Sequence, residues 1–182
     1  MATLLYSFFP NNLVKKVNRL VKKIYETEEA VYHHLVERDL MGVSNSELFA
    51  VGDSLNPVGY FTVTLATGCN VGGCETPTEN AYEFFYMLVA FDTDAKIKKV
   101  RILEYDSEYG YEIMAPGWLK QFEKNKKDIL QFEQDIDAIS GATKSAKSVV
   151  NEVNIISEYL RRKLNKESTE APAVLDALLM DD

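Results

Sequence analysis

Hydrophobic spacing divides the chain into helical ends and a strand-rich middle. Residues 11–40 read as helical: Leu13, Val17, Leu20, Val21 and Ile24 recur every three or four positions, with Asn11 or Asn12 as N-cap. The opposite face carries Lys15, Lys16, Arg19, Lys22 and Lys23, which reads first as a solvated face with the apolar side packed on a domain and second as a membrane-surface helix. A second helix is expected over residues 28–38, capped by Thr27, with His33 and His34 on different faces and no function assigned to either. From residue 48 the period shortens. Residues 48–51 and 58–65 read as strands, joined across Gly52, Asn56 and Pro57. A Gly- and Thr-rich loop covers 67–80. Residues 82–91 are apolar and aromatic enough for a central strand, and Asp92-Thr93-Asp94-Ala95 turns the chain into a hairpin partner at Ile97, Val100, Ile102 and Leu103. Residues 118–127 read as a helix after Pro116-Gly117. The last helix shows the clearest stripe: Ala146, Val149, Val150, Val153, Ile156, Leu160 and Leu164. The expected fold is α+β: an antiparallel sheet packed with helices, N-terminal helices and a long C-terminal amphipathic helix.

Composition narrows the function classes. The chain has 182 residues, 46% hydrophobic and 26% charged, which suits one globular domain with a full core. Its net charge of −8 speaks against a partner that is nucleic acid. Residues 167–182 hold five acids and no base, so they carry five of the eight net negative charges and the body is only mildly acidic. The expected organisation is a helical segment at 1–47 packed on the domain, the domain proper at 48–166, and a loose or weakly docked acidic tail at 167–182. No stretch approaches the 20 or so apolar residues of a membrane span, and the apolar start, 1–9, lacks the basic residue and cleavage site of a signal peptide. Two Cys and two adjacent His make no metal-ligand set, so no metal site is assigned. Cys69 and Cys74, in the Gly-rich loop, fit a small disulfide loop, a redox dithiol or two unpaired thiols.

The informative stretch is Asp137-Ala138-Ile139-Ser140-Gly141-Ala142-Thr143, running into the last helix. Amides at a helix N-terminus favour a phosphate. Gly141 permits close approach, and Lys144 and Lys147 add positive charge in the first turn. Asp135 and Asp137 would repel a bare phosphate and make sense beside a metal-carrying enzyme. Read plainly, the same residues are an ordinary cap and turn.

Asp-x-x-Ser-Gly-Ala-Thr followed by Lys-Ser resembles the flavinylation motif of the FMN-binding domain family. That domain occurs in the G subunit of Rnf complexes, the C subunit of the sodium-pumping NADH:quinone oxidoreductase and single-domain relatives. Asp94-Ala95-Lys96-Ile97, residues 104–113 and residues 118–122 resemble further family segments, although Ser107-Glu108-Tyr109-Gly110-Tyr111 stands where the family often has Glu-Thr-Pro-Gly-x-Gly. The resemblance implies that Thr143 takes FMN as a phosphoester, installed by a separate flavin transferase that recognises Asp137, Ser140, Gly141 and Ala142. It implies an electron-transfer module, working between a reductase and an acceptor among redox proteins that include membrane-bound ones, on the extracytoplasmic side of a membrane. Tyr109, Tyr111 and Trp118 are the candidate walls for the flavin ring, and amides around Gly110 and Gly141, with Lys144, are candidates for its polar groups. Two rivals stand beside this reading: a flavin-free scaffold of the same fold, and a thiol redox protein using Cys69 and Cys74.

Overall fold

The computed structural model describes residues 9–35, 44–53, 55–70, 82–106 and 110–178. Helix α1 spans Asn11–Tyr25. Five strands follow: β1 Tyr32–Leu35, β2 Ser46–Gly52, β3 Pro57–Asn70, β4 Tyr82–Phe91 and β5 Ile97–Glu104. A short 3-10 turn at Tyr111–Met114 leads into α2, Pro116–Lys124, and a loop then reaches α3, Thr143–Leu178. The strands pair in chain order as one antiparallel meander, β1-β2-β3-β4-β5. The α+β class and the antiparallel sheet agree with the sequence reading.

Both faces of the sheet are covered, so its central strands are apolar on both sides. Phe49, Val51, Phe61, Val63, Leu88, Ala90 and Leu103 bury one face against Leu13, Val14, Val17 and Val21 of α1. The alternate residues Leu48, Ala50, Met87, Val89, Phe91, Val100 and Ile102 bury the other against α2 and α3, through Trp118, Leu119, Phe122, Ala146, Val149, Val153, Ile156 and Leu160. Adjacent strand residues point to opposite faces. That is why 84–91 shows an unbroken apolar run and no alternation.

Two expectations are corrected. The helix at 28–38 is absent from the described part of that segment. Glu26 takes a left-handed conformation (φ 56°) and ends α1, and the chain then enters edge strand β1. Val31 and Leu35 match a helical spacing, but Tyr32 decides the matter: it is buried edge-on against the rings of Phe49 and Phe61 at 5.6 and 5.2 Å. His33 and His34 therefore lie on a strand, and His34 pairs with Glu47 of β2. The N-cap of α1 is Pro10, with no side-chain cap, and neither Asn11 nor Asn12 serves. Helix α3 itself runs on as far as Leu178. A division between 47 and 48 falls inside β2, and β1 is hydrogen-bonded into the same sheet.

A buried polar chain ties α3 to the sheet. Ser46 lies 2.7 Å from Thr64 and 2.5 Å from Ser44, whose hydroxyl donates to the Glu152 carboxylate at 2.5 Å. Burial raises the Glu152 pKa, and the Ser44 bond only partly offsets it. The folded state then holds this proton more tightly than the unfolded chain. Stability contributed by the protonated acid is full below the ordinary glutamate pKa and is lost as pH rises through the raised one. Glu152→Gln is therefore expected to raise the Tm by about 1–2 °C at neutral pH and to leave it unchanged at a pH below the glutamate range. Melting curves at the two pH values check this.

Candidate functional site

The motif sits where three elements meet: the end of β5, the segment around Gly110, and the start of α3. Helix α3 opens at Thr143, and its first hydrogen bond runs from the Ala146 N–H to the Ala142 carbonyl at 2.9 Å. That bond makes Ala142 the N-cap and Thr143 the first helical residue. Alanine has no oxygen to cap with and ranks among the poorest N-caps. The Thr143 hydroxyl lies one position past the place where a threonine would cap. The plain cap reading thus fails to account for Ser140 or Thr143.

Exposure follows the same division. Ala142 is fully buried, whereas Ser140, Gly141, Thr143 and Lys144 are exposed. Gly141 is left-handed (φ 79°), and a Cβ there would meet nothing within 4 Å, so the approach to Thr143 is open. Lys147 is also exposed on the first turns, its ammonium 5.4 Å from the Phe132 ring centroid.

The opposite wall is built from Gly110. It is left-handed (φ 80°), and a Cβ there would come within 2.7 Å of the Tyr105 hydroxyl, 3.4 Å of the Ser145 Oγ and 3.5 Å of the Ala142 Cβ. The Tyr105 hydroxyl lies 3.1 Å from the Ser145 Oγ, and its ring packs on Phe85 at 5.3 Å. A glycine here lets the chain lie against the first turn of α3. The two glycines should respond differently to alanine. Gly141→Ala is expected to cost about 1–2 kcal/mol, the left-handed penalty alone. Gly110→Ala adds a clash with the Tyr105 hydroxyl, for a total of about 2–4 kcal/mol. Urea unfolding of both variants checks the order.

The run into the motif is held from two sides. The Trp118 indole N–H donates to the Asp137 carbonyl at 2.8 Å, and the Asp137 N–H donates to the Gln121 side chain at 2.9 Å. Both partners are on α2. Upstream, Asn154 of α3 both accepts from and donates to the Leu130 backbone, at 2.9 and 2.8 Å. Asp135 pairs with Lys127 and accepts from the Gln131 N–H, and these bonds hold its carboxyl below its usual pKa. Asp135 therefore braces the loop. The Asp137 residue itself is exposed.

Of the candidate ring walls, Tyr111 is 59% exposed. Trp118 is buried, packed edge-on against Phe122 at 5.2 Å, and holds the motif through Asp137. Tyr109 lies outside the described residues. So does Cys74, and the side chain of Cys69 at the end of β3 is likewise outside them. Three residues not singled out as site residues from the sequence join here: Tyr105 and Ser145, which lie in segments that resemble the family, and Met114. Met114 is 40% exposed and shares a face with Tyr111, since residues three apart eclipse in a 3-10 turn. An aromatic residue directly after a strand was the available signal for Tyr105. Among the described residues, no group of three His, Cys, Asp or Glu could hold a metal ion, and no helix is long and apolar enough to cross a membrane.

Comparison with curated proteins finds no match. Comparison with protein families does: the model of the FMN-binding domain matches residues 82–157. That region runs from the start of β4 to Ser157 in α3 and contains the Gly110 turn, α2, the braced loop and the motif. The region that assembles this site, residues 82–157, therefore belongs to the FMN-binding domain family.

Proposed function

We propose that the protein is an electron-transfer flavoprotein module carrying FMN as a phosphoester on Thr143. The observation that carries this reading is the position of Thr143: exposed, at the positive end of a long helix, with its capping role ruled out by Ala142. The residues present fit the group. The Thr143 Oγ would hold the FMN phosphate as an ester, taken from FAD in exchange for the hydroxyl proton with release of AMP, a step that a flavin transferase would perform. Asp137, Ser140, Gly141 and Ala142 present the recognition motif, and the open space around Gly141 admits that enzyme. The α3 N-terminus, with Lys144 and Lys147, balances the phosphodiester charge. Tyr111 and Met114 offer an exposed apolar wall, and the backbone at Gly110 lies beside it.

Bound there, FMN supplies one- and two-electron chemistry. The chain supplies a fixed tether and a surface on which redox partners, a reductase and an acceptor, can reach it. Trp118 and Gln121 act as positioning residues, since each reaches the motif through a hydrogen bond to the Asp137 backbone.

Co-expression with an active flavin transferase, followed by intact mass measurement, tests the proposal. The expected result is a gain of one FMN less water. An unmodified mass under those conditions overturns it and leaves the flavin-free scaffold.

A further inference from the structure

The first 25 residues contain Lys15, Lys16, Arg19, Lys22 and Lys23 and no acid, so they carry +5 and the rest of the chain −13. All five cations are exposed on α1, with the Lys16 ammonium also donating to the Leu103 carbonyl, and Leu13, Val14, Val17 and Val21 on its apolar side are fully buried against the sheet. The row does not stop at the helix. Between α1 and β5 lies a recess of about 270 Å³, with Leu20 and Ile24 beside Lys23, Lys98, Lys99 and Arg101. Glu123 answers Lys99 and Arg101. Lys98 lies over the Tyr25 ring at 5.6 Å.

We infer that this face docks electrostatically on a bilayer containing anionic lipid headgroups. Three features favour that occupant. The sign is uniform over a 15-residue helix, about 22 Å long, which suits a broad surface of one sign. The row is mostly lysine, a residue depleted from protein–protein interfaces. The recess pairs half-buried apolar side chains with a cationic rim, as a lipid phosphate above its glycerol requires. Because the apolar side of α1 is spent on the core, the helix lies on the headgroups and does not enter the acyl region. Helices α1 and α3 cover opposite faces of the sheet. Docking through α1 therefore leaves the start of α3 turned away from the bilayer, and it does so with or without FMN.

The test is co-sedimentation of the full chain with vesicles of phosphatidylcholine alone and of phosphatidylcholine mixed with phosphatidylglycerol. Binding is expected only to the mixed vesicles and should weaken with added salt. Each cation near an anionic leaflet is worth about fivefold in partitioning. Lys15→Glu, Arg19→Glu and Lys22→Glu together should therefore cut binding by more than about a hundredfold with an unchanged melting curve. Lys124→Glu with Lys126→Glu, at exposed positions on and just after α2, should leave binding intact. Equal binding to neutral vesicles overturns the inference, as does retention by the triple variant, or capture by polyglutamate or duplex DNA without vesicle binding. None of these outcomes touches the mass gain at Thr143, so the two proposals fail separately.

Discussion

Thr143→Ala is expected to abolish the FMN mass gain completely and to leave the melting curve where it was. The separation of the two readouts is the informative part. Ala142 holds the capping position, so Thr143 contributes no cap, and alanine is the better helix former at an exposed first-turn site. The stability change should stay within about 0.5 kcal/mol. The attachment loses its only acceptor oxygen at that position, so the loss is total. Thr143→Ser restores the oxygen and should restore the mass gain. A Thr143→Ala protein that still gains FMN would move the attachment to another hydroxyl, and Ser140 would be the first to test. Asp137→Ala makes a useful companion. Its backbone bonds to Trp118 and Gln121 survive the change, so a lower extent of attachment at unchanged stability would assign the carboxylate to transferase recognition.

Gly59→Ala has the largest expected effect on the fold. Gly59 lies opposite Val51 in the β2–β3 register. A Cβ there would stand 2.5 Å from the Phe91 carbonyl oxygen of β4 and 2.5 Å from Cε1 of the Tyr25 ring. Neither neighbour can yield cheaply. Phe91 is backbone in a central strand. The Tyr25 hydroxyl donates to that same Phe91 carbonyl at 3.0 Å and lies against the Tyr60 carbonyl, and burial pushes the phenol pKa well above its usual value. The ring is therefore pinned at both ends, where it closes α1 onto the sheet. Overpacking of this kind should cost about 3 kcal/mol or more, which corresponds to a Tm drop of about 6–12 °C for a chain of this size. Gly59→Ala combined with Tyr25→Ala should lose less than the two single changes added together, because the second change removes half the clash. A Gly59→Ala protein that melts like the parent would show that the helix end is looser than this packing requires.

The sequence made the central sheet and the last helix legible because their signals are local. The apolar run at 84–91, the Asp92–Ala95 turn and the stripe from Ala146 to Leu164 each declare themselves within about twenty residues. Edge strand β1 is four residues long and takes its identity from Tyr32 meeting Phe49 and Phe61, contacts 17 and 29 positions away. A window of sequence shows only Val31 and Leu35 at helical spacing. The site divides in the same manner. Thr143 and its motif were readable as a string, whereas Tyr105, Ser145 and Met114 join only when Gly110 brings its segment onto α3. Trp118 was legible as an aromatic near the site, but its job as a brace depends on a hydrogen bond to a residue 19 positions away.

That brace has a practical side. Trp118 is the only tryptophan in the chain, and its indole donates directly into the backbone of the motif. The protein thus contains a built-in optical reporter at the place of interest. Its emission responds to the hydrogen bond at Asp137, and a flavin held a few residues away absorbs where an indole emits. Loading of Thr143 should therefore register as quenching of the protein's own fluorescence, in real time and without a label, and loosening of the α2 clamp should register as a shift in emission colour.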